Sequence, residues 1–158
     1  MVIYEFLRNN GIEYSSYNHP AVFTVEEANR LVPDLPGIHT KNLFLRDKKA
    51  AQFFLLVCGD DKQVDLKQLS AQIGVKNLSL ASDERLQQNL GITPGAVSIL
   101  ALVNDSSGKV QLLIDEDVKK AAAITAHPLV NTATLVLEQA ALQKFLEIIA
   151  HSVRVVTL

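Results

Sequence analysis

Gly37-Ile38-His39-Thr40-Lys41-Asn42-Leu43-Phe44-Leu45-Arg46-Asp47 sets the fold, because it leads from a glycine loop through two polar residues into an apolar strand. Leu43 to Leu45 suits a buried strand, and Gln52 to Cys58 (Gln-Phe-Phe-Leu-Leu-Val-Cys) gives a second after the charged turn Arg46-Asp47-Lys48-Lys49. Together they predict a β-hairpin. Lys41 stands at its mouth, where a lysine can lay its stem on apolar neighbours and point its ammonium into a cleft. A solvated strand-end lysine satisfies the same local pattern.

Outward from the hairpin, punctuation residues mark the remaining elements. Val2 to Asn9 reads as an amphipathic helix closed at Asn10-Gly11, and Ile12 to Asn18 as an edge strand broken by His19-Pro20. Thr24 with Glu27 has capping-box spacing, and Val25, Ala28 and Leu31 would give that helix its apolar face. The segment 32–37 holds two prolines and a glycine and reads as a loop. Downstream, Asp65 to Ile73 predicts a helix stopped by Gly74, and Glu84 to Asn89 a second, capped by Ser82 or Asp83 and running into the Leu90 to Gly95 turn. Val97 to Val103 reads as a strand, and with Val110 to Ile114 it predicts a second hairpin across Asn104 to Gly108. Asp115 to Val118 suits one helical turn, Ala121 to Thr125 and Thr132 to Leu137 are strands, Glu138 to Ala150 is a helix, and Val153 to Val156 is a closing strand. Hairpins interleaved with helices imply an α+β fold, a curved, mostly antiparallel, barrel-like sheet flanked by helices, in a single domain covering 1–158.

The composition narrows the function. With 158 residues, 48% hydrophobic, 20% charged and a net charge of -2, the chain has an ordinary globular balance and lacks the basic surplus that coats long nucleic acid. Double-stranded DNA is not an expected partner, and any nucleic-acid contact should be small, for instance at Arg46, Lys48 and Lys49. No apolar run is long enough to cross a bilayer, and Met1 to Phe6 lacks an export signal, so cytoplasmic residence and no membrane contact are expected. The single cysteine, Cys58, sits in an apolar run and reads as a buried, inert thiol.

Phosphate loops, CxxC, HExxH and GxSxG motifs are absent, and His19, His39, His127 and His151 lack metal-ligand spacing, so neither a metal nor a cofactor is expected. Three polar loops remain: Lys41-Asn42, the Gly91 to Gly95 turn, and His127-Pro128-Leu129-Val130-Asn131-Thr132. Each also reads as ordinary turn chemistry.

Gly37 to Asp47, Leu90 to Gly95 (Leu-Gly-Ile-Thr-Pro-Gly), Val103-Asn104-Asp105 and His127 to Thr134 (His-Pro-Leu-Val-Asn-Thr-Ala-Thr) occur in an order and spacing that resembles the YbaK/prolyl-tRNA synthetase-associated editing domains. Within that family the chain is similar to the free-standing deacylases that hydrolyse alanyl-tRNA(Pro). The resemblance implies a metal-independent ester hydrolase, with mischarged tRNA(Pro) as substrate and prolyl-tRNA synthetase as a further partner. It places the family lysine at Lys41, with His127 as a second catalytic candidate. Asn42, Gly95, Ala96, Val97, Ser98 and Asn131 are implied to bind substrate. The family's Gly-x-x-x-Pro pocket loop ends here in Ile99 instead of proline, which should either narrow the pocket or turn into the core. A cysteinyl-tRNA(Pro) deacylase and a catalytically inactive tRNA-binding module remain as alternatives. The chemistry asked of such a site is modest: an aminoacyl ester is labile, so holding it, stabilising the oxyanion and positioning water suffice.

Overall fold

The computed structural model describes residues 2–22, 24, 26, 27, 30 and 34–158. Helix α1 (Val2–Asn9) buries Ile3 and Leu7 and ends at Gly11, whose φ of 65° is the left-handed turn that the Asn-Gly pair predicts. Strand β1 (Ser15–Asn18) follows. Of the predicted helix after it, Val25, Ala28 and Leu31 lie outside the described residues, as do Val32 and Pro33 of the next loop; the capping contact is present, with the Glu27 amide donating to Thr24 Oγ1 at 3.0 Å.

Strands β2 (Thr40–Arg46) and β3 (Phe53–Gly59) form the predicted hairpin, pairing Thr40 with Gly59 and Arg46 with Phe53. Helix α2 (Leu66–Ile73) is capped by Asp65, whose carboxylate accepts from the Lys67 and Gln68 amides. Short β4 (Ser79–Leu80) leads to α3 (Asp83–Leu90), capped by Ser82 and closed by Gly91. Then come β5 (Val110–Asp115), α4 (Glu116–Lys120), β6 (Ala123–Ala126), β7 (Ala133–Glu138), α5 (Gln139–Ile149) and β8 (Val153–Val156).

One sheet has the order β4-β2-β3-β5-β8, the other β1-β7-β6. The pairings β2 with β3, β2 with β4, β1 with β7 and β6 with β7 are antiparallel, while β3–β5 and β5–β8 are parallel. The fold is therefore α+β with mostly antiparallel pairing. Among the described residues the sheets meet along one seam, without the closure of a barrel: Ile38 bridges to Ile124, its amide donates to Ala123 O, and Thr125 donates back to Ile38 O. Gly37 makes this seam feasible. Its φ is 90°, and a Cβ there would lie 2.4 Å from the Ala123 carbonyl oxygen.

The predicted second hairpin is corrected by the structure. Pro94–Ala96 and Ile99–Asn104 are turns of 3₁₀ helix, and β5 takes β3 and β8 as neighbours. Ser98 explains the outcome, since its hydroxyl caps the second turn by accepting from the Leu100 amide at 3.1 Å. Ile99, Leu100, Ala101 and Leu102 are all buried there. A segment buried on every side reads in sequence like an inner strand.

The main core lies on the face of the five-stranded sheet that carries Phe44, Leu55 and Val57, packed with residues of α1, α3, α5 and β6–β7. A second cluster on the opposite face joins Leu45, Phe54, Leu56 and Leu113 to Leu69 and Ile73 of α2. No helix among the described residues is long and apolar enough to cross a membrane.

Candidate functional site

Because side chains alternate along a strand, Thr40, Asn42 and Phe44 share the main-core face of β2, whereas Lys41, Leu43 and Leu45 share the other. Thr40 is tied to β6 by its amide to Thr125 Oγ1 at 3.1 Å and by its hydroxyl to Thr125 O at 2.6 Å. Next to this contact is a cavity of about 40 Å³ lined by His39, Thr40, Asn42, Asp60, Thr125, Ala126, His127 and Thr134. Its size suits a single small group or a water molecule. Asn42, which lines it, buries its Oδ1 without a hydrogen-bond partner among the described residues, an arrangement that costs stability.

His127 lines the cavity from the β6–β7 loop. Its Nδ1 lies 3.2 Å from the Ala133 carbonyl, which can only accept, so Nδ1 carries the proton and Nε2 is bare. Burial holds the imidazole below its usual pKa, opposed by the Ala133 contact and helped by nearby His19, so the ring is neutral at neutral pH.

Lys41 does not enter this cavity. Its ammonium donates to the Lys62 carbonyl and so pins the turn that follows β3. That turn, with Asp34, Ile38, His39, Asp117, Lys120 and Ala121, walls a neighbouring cleft of about 720 Å³, within the range of small-ligand sites. His39 and Asp60 line both spaces, so the two adjoin. Lys62 reaches across the cleft wall to α4, 2.7 Å from Asp117 and 3.5 Å from Asp115. Their hydrogen bond holds the Asp117 carboxyl below and the Lys62 ammonium above the usual values. Asp115 is fully buried, and although Lys62 is close enough to pair with it, neither carboxylate oxygen has a hydrogen bond among the described residues.

The other sequence candidates fall elsewhere. Asn131 lines neither space; its amide donates to the Val22 carbonyl at 3.0 Å and the Val22 amide returns to Asn131 O, so it fastens the loop to the segment after β1. The expected pocket wall Gly95 to Ile99 lines neither of these two spaces. Ala96, Ser98 and Ile99 are buried, Val97 packs on the core, and Ile99 takes the core-facing option. Gly95 lies within the Pro94–Ala96 turn and lines neither space. Cys58 is buried as expected, its thiol pushed up to about 11 chiefly by burial. The basic turn at Arg46 and Lys48 is at the far end of β2, roughly 20 Å from Thr40 by strand rise.

The cavity is also lined by His39, Thr40, Asp60, Thr125 and Thr134, none of which the sequence reading named as a site residue. The available signal was a threonine inside each of the apolar strands β6 and β7, both buried at 6% exposure. Among the described residues no group of three His, Cys, Asp or Glu side chains is arranged to hold a metal.

Comparison with known proteins agrees with the resemblance. Residues 19–145 match the family model of the aminoacyl-tRNA editing domain. The prolyl-tRNA editing protein ProX of Acetoanaerobium sticklandii is 38% identical over 136 residues, 86% of this chain and 83% of that one. The prolyl-tRNA synthetase associated domain-containing protein 1 of Danio rerio is 39% identical over 150 residues, 94% of this chain and 81% of that one. Two solved structures share the fold at 19% identity. One is the hypothetical protein APE2540, with a TM-score of 0.75 and 97% of each chain covered. The other, presented as a candidate trans-editing enzyme for prolyl tRNA synthetase, has a TM-score of 0.69 with 96% of this chain and 92% of that one covered. With its polar cavity and cleft at the mouth of β2, the chain belongs to the aminoacyl-tRNA editing domain family.

Proposed function

We propose that this protein is a free-standing aminoacyl-tRNA deacylase that hydrolyses the ester of mischarged tRNA(Pro), alanyl-tRNA(Pro) first among its substrates. The observation that carries the reading is a small buried polar cavity opening beside a nucleoside-sized cleft, in a chain of this family. The cleft has room for the terminal adenosine, with carboxylates for ribose hydroxyls and Lys62 and Lys120 for phosphate. The cavity takes the reacting end, with Asn42 and neutral His127 as acceptors for a water or a substrate donor. Lys41 acts from behind the wall, fixing the Gly59–Lys62 turn whose residues bound the cleft. Cytoplasmic action, in company with prolyl-tRNA synthetase, belongs to the same proposal.

The test is deacylation of alanyl-, cysteinyl- and prolyl-tRNA(Pro) by the purified protein. Alanyl-tRNA(Pro) should be hydrolysed at least about tenfold faster than the others, the effect of about 1.4 kcal/mol in the transition state. Equal rates on alanyl and prolyl esters would overturn the small-substrate preference, and no hydrolysis of any of the three would overturn the activity.

A further inference from the structure

The cavity connects to a second histidine through a buried hydroxyl. Thr134 lines it, and Thr134 Oγ1 is 2.7 Å from Nε2 of His19. Nδ1 of His19 is 2.8 Å from the Pro20 carbonyl, so in the neutral ring Nδ1 bears the hydrogen and Nε2 is the acceptor. Thr134 must then donate to His19, which leaves its oxygen lone pairs to accept a hydrogen from a neighbour. His19 itself is half-buried and is anchored by its amide on the Thr132 carbonyl at 3.0 Å. The result is a hydrogen-bonded link from Thr134, a buried residue that lines the cavity, to His19, a base that solvent can reach.

We propose that Thr134 and His19 form a proton relay for the hydrolytic water, with Thr134 touching that water and His19 acting through it. The inference rests on the deacylase reading. As water oxygen bonds to the ester carbonyl carbon, the water proton passes to Thr134 Oγ1 and the Thr134 hydrogen passes to His19 Nε2, giving an imidazolium whose Nδ1–H stays on Pro20. When the tetrahedral intermediate expels the ribose oxygen, the path runs in reverse and returns the proton to that oxygen. Free amino acid, a tRNA with its ribose hydroxyl and neutral His19 result. His127 is a poor base, because burial disfavours its charged form. The titratable groups facing the relay among the described residues are His127 beside His19, and His39 and Asp60 across the cavity.

Rates on alanyl-tRNA(Pro) across pH test this in the wild type and in His19→Gln, Thr134→Val, Thr134→Ser and His127→Gln. His19→Gln and Thr134→Val should each lower kcat by about 100-fold or more with KM little changed, as expected for lost proton transfer. Thr134→Ser should retain most of the rate. The double variant should be no slower than the worse single one, since both interrupt one path. The acid limb of the rate profile should survive in His127→Gln and vanish in His19→Gln. A folded Thr134→Val with wild-type kcat, or a limb lost with His127 instead of His19, overturns the relay while leaving the deacylase standing. No hydrolysis by the wild type removes both. Should Thr134→Val fail to fold, the ring ¹⁵N signals of His19 in the wild type still decide: a hydrogen found on Nε2 in the neutral ring overturns the relay, and one on Nδ1 supports it.

Discussion

Two stretches carry the polar and glycine signature of a pocket wall, Thr40-Lys41-Asn42 and Gly95 to Ile99, and the structure treats them oppositely. The first lines a cavity and holds a buried carbonyl oxygen, Asn42 Oδ1, without a partner among the described residues. The second is fully satisfied: Ser98, completely buried, spends its hydroxyl on the Leu100 amide, and Ile99 is 1% exposed in the main core. An unmet hydrogen-bonding group persists in a folded protein at a cost, so the place that keeps one is the better candidate for binding. Variants in the two stretches should therefore separate activity from stability.

The largest effects are expected at the β2 mouth. Lys41→Met should release the Gly59–Lys62 turn, and a displacement of about 1 Å at a reacting site is worth roughly 100-fold in rate. Circular dichroism should show the variant folded; if folded Lys41→Met keeps wild-type kcat/KM, the wall it anchors is irrelevant to turnover. Asn42→Leu should show a more telling split. Replacing the orphaned amide by an apolar group of similar size removes its desolvation penalty, so the midpoint of urea unfolding should rise by the equivalent of about 1–3 kcal/mol while activity falls. A loss of stability would mean that the amide is satisfied in solution and that the contrast between the two stretches is illusory.

Ile99→Ala reverses the pattern. Truncating a buried aliphatic side chain costs about 2–5 kcal/mol, here among Phe44, Leu100 and the rest of the main core. The ratio of alanyl to prolyl hydrolysis at a temperature where the variant stays folded should match the wild type. A changed ratio would return the Gly95 to Ile99 loop to the pocket wall.

The contrast also shows which features were legible in the chain. The β2–β3 hairpin, the Asp65 and Ser82 caps and the Gly11, Gly74 and Gly91 stops rest on neighbours a few residues apart, and local sequence encodes them. The parallel pairing of β5 with β3 and β8 joins segments tens of residues apart, and no local signal announces it. Val97 to Asn104 shows the converse error, since burial on all sides erases the periodicity that separates a 3₁₀ turn from a strand. At the site, Lys41, Asn42 and His127 stood out because loops and a family pattern framed them. Thr125, Thr134 and Asp60 did not, because a lone polar residue in or just after an apolar strand gains meaning only when another element brings partners to it.

His127 gives the smallest effect and a way to sharpen the comparison by titration. Its ring is the titratable group of the β6–β7 loop that lines the cavity, and burial lowers its pKa from the ordinary 6.5. Above 6.5 the ring is neutral in both folded and unfolded chains, so it contributes no pH dependence. As pH falls below 6.5 the unfolded chain takes up the proton first, and stability declines until the lowered folded value is reached; below that point the loss is complete and constant. Unfolding free energies measured between pH 8 and pH 4 should therefore fall more steeply through the 6.5 region in the wild type than in His127→Gln, which keeps a polar side chain without the titration. The buried Ser98 and Ile99 carry no titrating group, so Ile99→Ala should shift the whole curve without changing its slope. If His127→Gln leaves the slope unaltered, the ring is solvated in solution, and the distinction between a half-buried polar site at Asn42 and a closed apolar one at Ile99 fails.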